Sequence, residues 1–325
     1  MDSKQAVRSP ATVTTSIVTG AFGFSGQQIA KRLLLRGERV RTLTNHPQPG
    51  SLLFGRVEVS PLDFSDPEQL AESMRGASVL YNTYWVRFSY ASLSHEHAVE
   101  NTRTLIHAAE LAGVKRIVHV SITNPSLDSS LSYFKGKAGL EQAIQSSSLS
   151  YAILRPAVLF GEGDILINNI AFMLRRFPLF AIPGSGEYHV QPIFVDDLAE
   201  LAVDSGQRTD SYIMDAVGPE NYTYTDLVGM IRNTIGSKSL VVHLPPAIIR
   251  LASVLLGAIL KDVVLTEGEI KGLMADLLVS HKPPTGHTSL EGWIKSHART
   301  IGNSYASELA RHYPAGISEI EAEAK

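Results

Sequence analysis

The sequence predicts an α/β protein with a doubly wound parallel sheet and a smaller, mostly helical C-terminal region that binds substrate. Two features of the chain lead to this fold class. Short β-rich runs alternate with helical stretches of about ten residues or more, an order typical of βαβ units whose sheet is covered on both faces. Beyond residue 156 the alternation ends, glycine and proline cluster in PLFAIPGSGEYHVQP, and mostly helical segments follow.

The predicted strands are short, apolar and rich in β-branched side chains. In chain order they are TSIVTG, RVRTLT, VEVSPLD, SVLYNT, RIVHVS and SYAILRP. After the first of them, Ile29, Leu33 and Leu34 recur at helical spacing, which predicts the first crossover helix.

This pattern divides the chain into two regions and two tails. We expect a nucleotide-binding domain over 14–164 and 193–217, a smaller substrate-binding region over 165–192 and 218–313, and loose tails at 1–13 and 314–325. The smaller region is expected to pack on the carboxyl edge of the sheet, where open α/β sheets bind their ligands.

Composition excludes several function classes. Of the 325 residues, 44% are hydrophobic and 19% charged, as in ordinary folded globular proteins. The absence of cysteine excludes disulfides, thiolate metal sites and cysteine nucleophiles, and no histidine pair has the HExxH spacing, so we expect no metal site. A net charge of −3 argues against a broad electrostatic attraction to nucleic acid or anionic membranes.

Two segments bear on membranes and targeting. The longest apolar run, PPAIIRLASVLLGAILKD, contains Arg250 and is shorter than the roughly 20 residues of a membrane span. It predicts an amphipathic or buried helix, with a membrane contact as the alternative. The polar start MDSKQAVRSPATVTTS lacks the apolar core of a secretory signal, so the cytoplasm is the expected location.

A glycine-rich turn follows the first predicted strand. In SIVTGAFGFSGQQIAKRLLLRG, Gly20, Gly23 and Gly26 lie between that strand and a helix. Glycine lets the backbone approach a diphosphate closely, and the helix N-terminus offers free N–H groups to it. The turn in this context predicts a Rossmann-type dinucleotide site; a tight turn without a ligand is the alternative.

The second strand bears on the choice of dinucleotide. A carboxylate about 20 residues after the turn would hold the adenosine ribose hydroxyls of NAD. From Arg39 to Val57 there is no acidic residue, and Asn45 or His46 stands where the acid would be. Without that carboxylate a 2′-phosphate is not repelled, so NADP(H) is favoured over NAD(H), although no arginine clearly lies at the strand end.

The segment PLDFSDPEQL carries a second candidate for the adenosine. Ser65 and Glu68 fit a capping box, which would place Asp63 at a strand end just before a helix. There Asp63 is expected to accept a hydrogen bond from the adenine amine. The alternative role of Asp63 is to cap the same turn.

The stretch YFKGKAGLEQAIQ carries the main catalytic candidates. As a helix, it places Tyr133, Lys137, Leu140 and Ile144 on one stripe, so that the stripe entering the core carries Tyr133 and Lys137 inward. Burying an ammonium without a partner is costly, which predicts a specific task for Lys137. Lys135 can extend to solvent instead.

This pair predicts proton transfer to or from a carbonyl/alcohol group. A tyrosine has a reference pKa near 10, and a nearby ammonium with an oxidised nicotinamide would lower it toward neutrality. The phenol would then exchange a proton while hydride moves to or from the cofactor. Ser121, twelve residues before Tyr133, is expected to hydrogen-bond the substrate oxygen, with Thr123 as the substitute. A strand-end hydroxyl bonded to nearby backbone is the alternative for Ser121.

Several motifs together resemble the extended and atypical short-chain dehydrogenase/reductase superfamily. They are TGAFGFSG, LDF, Ser121, YFKGK, LRPAVLFGEGD and QPIFVDDLAEL, within about residues 14 to 235. Epimerase-like members, the Rossmann-type accessory subunit of respiratory complex I and NmrA-like proteins look most similar. The resemblance implies a diphosphate on the glycine turn, catalysis by Tyr133, Lys137 and Ser121, and contact of Lys137 with the nicotinamide ribose.

The expected site has three groups of residues. Catalysis is assigned to Tyr133, Lys137 and Ser121. Cofactor binding is assigned to Gly20, Phe22, Gly23, Phe24, Gly26, Asn45, Asp63, Phe64, Asn82, Thr83, Lys137, Pro156 and Val158. Substrate contact is assigned to Tyr84, Trp85, Phe160 and Gln191.

Other residues near the site have competing explanations. Tyr84, Trp85, Phe88 and Tyr90 would form an aromatic wall for an apolar carbonyl substrate, with core or interface packing as the alternative. Arg155 fits either the site or a structural ion pair. Asp196 and Asp197 precede a helical run and are expected to cap it.

The leading function is an NAD(P)-dependent oxidoreductase or epimerase-like enzyme acting on a small organic carbonyl or alcohol. The alternative from another class is a non-catalytic NAD(P)-binding sensor or assembly factor. The expected partner is a small-molecule substrate rather than nucleic acid, and the chain is expected to be a monomer or homodimer without an integral membrane span.

Overall fold

The computed structural model describes residues 14–89 and 94–312, so the two tails and Tyr90 lie outside the described residues. The strands are β1 Thr15–Thr19, β2 Arg39–Leu43, β3 Glu58–Ser60, β4 Val79–Asn82, β5 Arg116–Val120, β6 Ser150–Pro156, β7 Val158–Phe160, β8 Leu179–Pro183, β9 His189–Val190, β10 Pro192–Phe194, β11 Tyr212–Ala216, β12 Tyr222–Thr223 and β13 Leu240–Leu244. The helices are α1 Phe24–Leu35, α2 Pro67–Met74, α3 His95–Leu111, α4 Ser132–Gln145, α5 Leu166–Arg176, α6 Val195–Gly206, α7 Tyr224–Thr234, α8 Pro246–Leu260, α9 Glu267–Met274, α10 Leu290–Ser296 and α11 Glu308–His312.

A seven-stranded parallel sheet forms the centre of the molecule. Its strands lie in the order β11-β6-β5-β4-β1-β2-β3, and every neighbouring pair is parallel. The chain order reverses between β1 and β4, which opens a crevice at their carboxyl ends, the place where such sheets bind ligands. The predicted α/β Rossmann-type fold is therefore confirmed.

Apolar side chains on both faces of the sheet explain its helical covering. Ile17 and Val18 of β1 are fully buried on opposite faces, as expected for a central parallel strand. Ile29 and Leu33 of α1 pack on one face with α6, and α2, α3 and α4 cover the other. Neighbouring α1 and α6 are joined by the ion pair of Arg32 with Asp196, 2.9 Å apart.

A separate hydrophobic core lies in the second half of the chain. It is built from residues of β7, α5, β8, α7, α9 and α10 and includes Phe160, Ile182, Leu227 and Ile294, all fully buried. This core is distinct from the two that flank the sheet. The division into a nucleotide-binding domain and a smaller substrate-binding region remains a proposal that the separate core supports.

Two helix caps differ from the predictions. The N-cap of α2 is Asp66, which accepts from the backbone N–H of Gln69 at 3.0 Å, so the capping box predicted at Ser65 is wrong. Asp196 and Asp197 do not cap α6, whose N-cap is Phe194. Asp197 is buried and accepts 2.8 Å bonds from the backbone of residues 287 and 288, so it anchors a C-terminal loop instead.

Helix α8 corresponds to the apolar run noted in the sequence, but it is not a buried helix. Only Ile249 and Gly257 among its residues are buried. Within the described ranges, no helix combines the length and apolar character needed to cross a bilayer.

Candidate functional site

The glycine turn between β1 and α1 adopts a conformation that side chains would disrupt. Gly20 has φ +66°, and its carbonyl accepts from the N–H of Gly23 at 2.8 Å. A Cβ on Gly26 would lie 2.2 Å from the carbonyl oxygen of Gly20. Glycine at this third position therefore lets α1 start directly against the turn.

The start of α1 is open to an anion. Its N-cap is Gly23, no side chain caps it, and the first turn contains no acidic residue. The first N–H groups of the helix, beginning at Phe24, thus keep their hydrogen-bonding capacity and the positive end of the helix dipole. These features fit the diphosphate of a dinucleotide.

Hydrogen bonds between β1 and β4 fix the crevice beside this turn. Thr19 Oγ1 donates to Asn82 Oδ1 at 3.1 Å and accepts from the N–H of Thr83 at 2.8 Å. Asn82 Nδ2 lies 3.1 Å from Nδ1 of the buried His119. The structure therefore brings Asn82 and Thr83 next to the glycine turn.

The residues expected near the adenosine bond to their own loops. The amide of Asn45 donates to the carbonyl of Leu62 at 2.7 Å and accepts from its N–H at 3.0 Å. Asp63 accepts from the N–H and hydroxyl of Ser65, and these bonds lower the pKa of its carboxyl. These contacts are the ones expected if Asp63 caps the turn. Arg41 is paired with Glu58 at 2.9 Å.

On α4 the two lysines lie where the sequence predicts, with Lys137 on the buried stripe and Lys135 at the surface. Lys137 is 2% exposed, whereas Lys135 is exposed. Lys137 Nζ donates to the carbonyl of Val120 at 2.8 Å and lies 4.5 Å from the centroid of the Trp85 ring. Burial lowers the pKa of Lys137 to about 7.

Tyr133 is half-buried in an aromatic cluster that consists of Trp85, His95, Tyr133 and Phe134. The rings of Trp85 and His95 are stacked 5.7 Å apart, and each meets Tyr133 edge-on at 5.5 Å. Burial, followed by the negative charge of Glu269, raises the pKa of Tyr133. Lys137 is not among the groups that shift this pKa, and the expectation that Lys137 and an oxidised nicotinamide together lower it stays a prediction.

Ser121 is bonded to a buried ion pair. Its Oγ donates to Glu141 Oε1 at 2.6 Å, and Glu141 is paired with Arg155, whose Nε donates to the same oxygen at 2.9 Å. Arg155 thus has the structural ion-pair role that the sequence left open. Among the described residues, no hydrogen bond joins Ser121, Tyr133 and Lys137 to one another.

Comparisons with known proteins agree with this geometry. Residues 20–168 match the family model described as NAD(P)H-binding, which spans the glycine turn, the aromatic cluster and α4. The chain contains an NAD(P)-binding Rossmann domain.

Two curated relatives and one solved structure are similar to this chain. Subunit 9 of the mitochondrial NADH dehydrogenase [ubiquinone] 1 alpha subcomplex of Arabidopsis thaliana is 25% identical over 251 residues, 73% of this chain and 62% of that protein. The ceramide reductase of Caulobacter vibrioides is 27% identical over 74% of this chain and 77% of that protein. The Citrobacter triphenylmethane reductase complexed with NADP(H) has a TM-score of 0.65 at 17% identity, covering 87% of this chain and 99% of that one, and shows the fold alone. The chain thus spans about three fifths of the Arabidopsis relative.

Phe160 and Gln191, two residues predicted to contact substrate, are in contact with other residues of the protein. Phe160 is fully buried and packs on Phe194 and Trp293, with ring centroids 5.4 and 5.8 Å away. Gln191 donates to the carbonyl of Gly218 at 2.9 Å and accepts from the N–H of Ser280 at 3.1 Å. Packing and backbone tethering account for both residues, and their contact with a substrate stays a prediction.

The other predicted residues lie around the crevice. Phe64 packs on Tyr84 with ring centroids 5.1 Å apart, and the Tyr84 hydroxyl accepts from Asn101 at 2.9 Å. Pro156 ends β6 and Val158 begins β7, and both are buried. Phe22 packs against the core beside α1 and α6.

The sequence analysis did not identify His95 as part of the aromatic cluster, or Arg87 and Glu269 as its neighbours. His95 Nδ1 lies 2.8 Å from Ser132 Oγ, and burial lowers its pKa. Arg87 Nε is 2.6 Å from Glu269 Oε1, which ties α9 to the loop after β4. Phe134 also lies against Gly272 of α9. No short-range pattern marks these contacts, because their partners are distant in the chain.

Two buried nitrogen atoms beside the lysine lack partners. Within the described residues, neither Nε1 of Trp85 nor Nε2 of His119 has a hydrogen-bond partner. Burial, with the charge of Lys137, lowers the pKa of His119, so its ring is neutral. Unsatisfied buried donors are rare in folded proteins and costly. No group of residues in the described part of the chain could hold a metal ion.

Proposed function

We propose that this chain is an NAD(P)-dependent reductase that converts an apolar organic carbonyl to an alcohol. The observation that carries the proposal is the position of Tyr133 in the aromatic cluster, on the same helix as the buried Lys137, which lies against Trp85 of that cluster. A bound reduced dinucleotide supplies hydride to the carbonyl carbon, and the chain must supply a proton to the carbonyl oxygen.

The protonation state of Tyr133 determines its part in the reaction. At neutral pH this phenol is protonated, so it enters the reaction as a proton donor and not as a base, although its raised pKa makes it a weaker acid than an ordinary tyrosine. Tyr133 would donate that proton to the carbonyl oxygen as the hydride reaches carbon, and the product is the neutral alcohol. The tyrosinate left behind regains a proton from solvent before the next turnover.

Lys137 and the glycine turn would position the cofactor. The open start of α1 would hold the diphosphate, and Lys137, by its family resemblance, would contact the nicotinamide ribose. Because the Trp85 ring covers the ammonium, a ribose hydroxyl reaches Nζ only after that ring moves. The unpartnered indole N–H of Trp85 supports such a movement.

We further propose that NADP(H) is preferred to NAD(H). No carboxylate follows β2 in the stretch up to Val57, and the side chain of Asn45 is held by the backbone of Leu62, so the end of this strand carries no acidic group to repel a 2′-phosphate. The substrate would be apolar because Trp85 and Phe134 surround Tyr133. The likeness to a ceramide reductase supports carbonyl reduction on an apolar compound. A cytoplasmic location and a monomer or homodimer remain part of the proposal.

A second candidate is a protein that binds the dinucleotide without turnover. The contacts of two predicted catalytic groups favour it: the Ser121 hydroxyl is bonded to Glu141, and the Lys137 ammonium is covered by Trp85. A likeness to a subunit of a mitochondrial NADH dehydrogenase also supports this candidate, in which the NAD(P)-binding domain serves assembly or sensing.

Calorimetric titration with NADPH and NADH, followed by a substrate screen, separates the candidates. The screen would follow NADPH absorbance with long-chain aldehydes, aromatic ketones and acyl ketones. A reductase binds NADPH more tightly than NADH and oxidises it with at least one class of carbonyl. Binding without oxidation for every class would favour the non-catalytic protein, and tighter binding of NADH would overturn the assigned preference.

A further inference from the structure

Helix α8 turns its apolar side away from the protein. Its outward side chains include Ile248, Leu251, Val254, Leu255 and Ile259, which are 49%, 62%, 66%, 61% and 76% exposed. An ordinary surface helix has the opposite arrangement, with its apolar stripe facing the core.

The side of α8 that faces the protein is narrow, and two of its residues are small. Ile249 and Gly257 are buried, and Ser253 is half-buried. A Cβ on Gly257 would lie 2.6 Å from the carbonyl of Asp262, so the helix is held closely against the loop that follows it. The exposed apolar residues are thus fixed in place on a packed helix.

The outward face is wide and bordered by positive charge. At 3.6 residues per turn, the exposed apolar positions from 247 to 259 cover about 160° of the helix circumference. Arg250 and Lys261 lie along one border of that face, and residues 245–261 contain no acidic side chain. Arg250 is paired with the exposed Glu267, 3.1 Å away, while Lys261 forms the left-handed C-cap of the helix.

These features favour one occupant. A second helix, from another copy or another protein, would cover a narrower seam and leave apolar side chains in water. The C-terminal tail of this chain is a poor match, because residues 313–325 contain three glutamates and only two large aliphatic side chains. A bilayer interface takes up half the circumference of a helix and favours lysine and arginine at its border.

We propose that α8 docks this protein on a lipid bilayer, lying flat in the interfacial region with its outward face among the acyl chains. Its 15 residues span about 22 Å, too short to cross a hydrocarbon core of about 30 Å. The docking is mainly hydrophobic, which is compatible with a net charge of −3 for the whole chain.

Helix α8 is followed in the chain by α9, which lies beside the aromatic cluster. Thr266 caps α9 with a capping box, and α9 is joined to the cluster by the Arg87–Glu269 ion pair and by Phe134 against Gly272. If the proposed reductase function holds, the carbonyl substrate is a lipid that enters from the bilayer beside α9. This last step rests on that function, whereas the docking does not.

Flotation with lipid vesicles tests the docking independently of turnover. Full-length protein would be mixed with vesicles of phosphatidylcholine, alone or with phosphatidylglycerol, and separated on a density gradient. The test variant is Leu251→Glu with Leu255→Glu. The matched control is Leu35→Glu with Leu111→Glu, which charges two exposed leucines on α1 and α3. Circular dichroism and thermal unfolding would establish that both variants are folded.

We expect wild type and control to float with both kinds of vesicle, and the floating fraction of the α8 variant to be at least about tenfold smaller. Absence of flotation for wild type with either lipid would overturn the proposal, as would equal loss in the control. A wild-type dimer that becomes a monomer in the α8 variant, without any flotation, would assign the face to a second copy and also overturn it.

Discussion

The Lys137 ammonium lies 4.5 Å from the centroid of the Trp85 ring and donates to the Val120 carbonyl at 2.8 Å. The ring also packs on Gly136, where a Cβ would lie 2.9 Å from its Cη2 atom. Glycine at 136 therefore makes room for the tryptophan. Lys137 is 2% exposed, and the Trp85 ring meets that of Tyr133 at 82° with centroids 5.5 Å apart.

Removing the Trp85 ring should strengthen dinucleotide binding. In Trp85→Ala the lysine is hydrated, its pKa rises toward the ordinary lysine value, and no ring has to move for a ribose to reach Nζ. We expect the Kd for NADPH, measured by calorimetry, to fall about threefold to tenfold. Trp293→Ala, which removes the other tryptophan from the second core, should leave that Kd unchanged. Weaker binding in Trp85→Ala would indicate that the ring supports the cofactor.

The titration of Lys137 should make binding depend on pH. Its pKa is about 7 because burial disfavours the ammonium. An anionic dinucleotide favours the protonated form, so affinity is highest below pH 7 and falls as pH rises through 7. We expect the Kd for NADPH to rise by up to about tenfold between pH 6 and pH 8. Lys137→Met should abolish most of this slope, and an unchanged slope in that variant would assign the effect to another group.

The third glycine of the turn should be indispensable. In Gly26→Ala the new methyl would lie 2.2 Å from the Gly20 carbonyl, so the turn or α1 must shift. We expect a loss of stability of about 1–3 kcal/mol and at least about 100-fold weaker NADPH binding. Gly229→Ala in α7, where a Cβ meets nothing within 4 Å, is the matched control and should stabilise by about 0.5–1 kcal/mol. Normal NADPH binding by Gly26→Ala would contradict the assigned role of the turn.

Asp164 should limit stability above neutral pH. One of its oxygens accepts from the N–H groups of Ile167 and Asn168, and the other is buried and has no hydrogen-bond partner among residues 14–89 and 94–312. Burial raises the pKa of its carboxyl to about 7, above the unfolded value, so this group costs stability increasingly as pH rises from about 4 to 7.

Replacing Asp164 by asparagine removes that charge and keeps an oxygen for the two N–H groups. We expect Asp164→Asn to gain about 2 kcal/mol relative to wild type on going from pH 5 to pH 8, measured by urea unfolding. The same difference between variant and wild type at both pH values would indicate that the carboxyl ionises normally in the folded protein.

Local patterns predicted much of the fold and part of the site. The alternation of strands and helices predicted β1 to β6 but not β11, which completes the sheet beside β6. The stripe on α4 placed Lys137 in the interior and Lys135 at the surface, because helical periodicity alone decides which side faces the core. The spacing of Gly20, Gly23 and Gly26 likewise encodes a turn whose geometry depends on neighbouring residues.

Long-range contacts were beyond such patterns. The Ser121 hydroxyl donates to Glu141, which is paired with Arg155, and this set joins the residue after β5 to α4 and β6. The direction of the Tyr133 pKa shift depends on burial and on Glu269, which is 136 positions further along the chain. The outward orientation of α8 depends on how it packs against the loop after it, and its composition suits either orientation.

Carbonyl reduction by wild type and by Tyr133→Phe tests the central claim most directly. Phenylalanine keeps the ring packed on Trp85 and His95 but has no proton to give. With a carbonyl identified in the NADPH screen, we predict a rate at least about 100-fold lower in Tyr133→Phe and a Kd for NADPH within about twofold of wild type. An equal rate in the two proteins would contradict the assignment of Tyr133 as the proton donor.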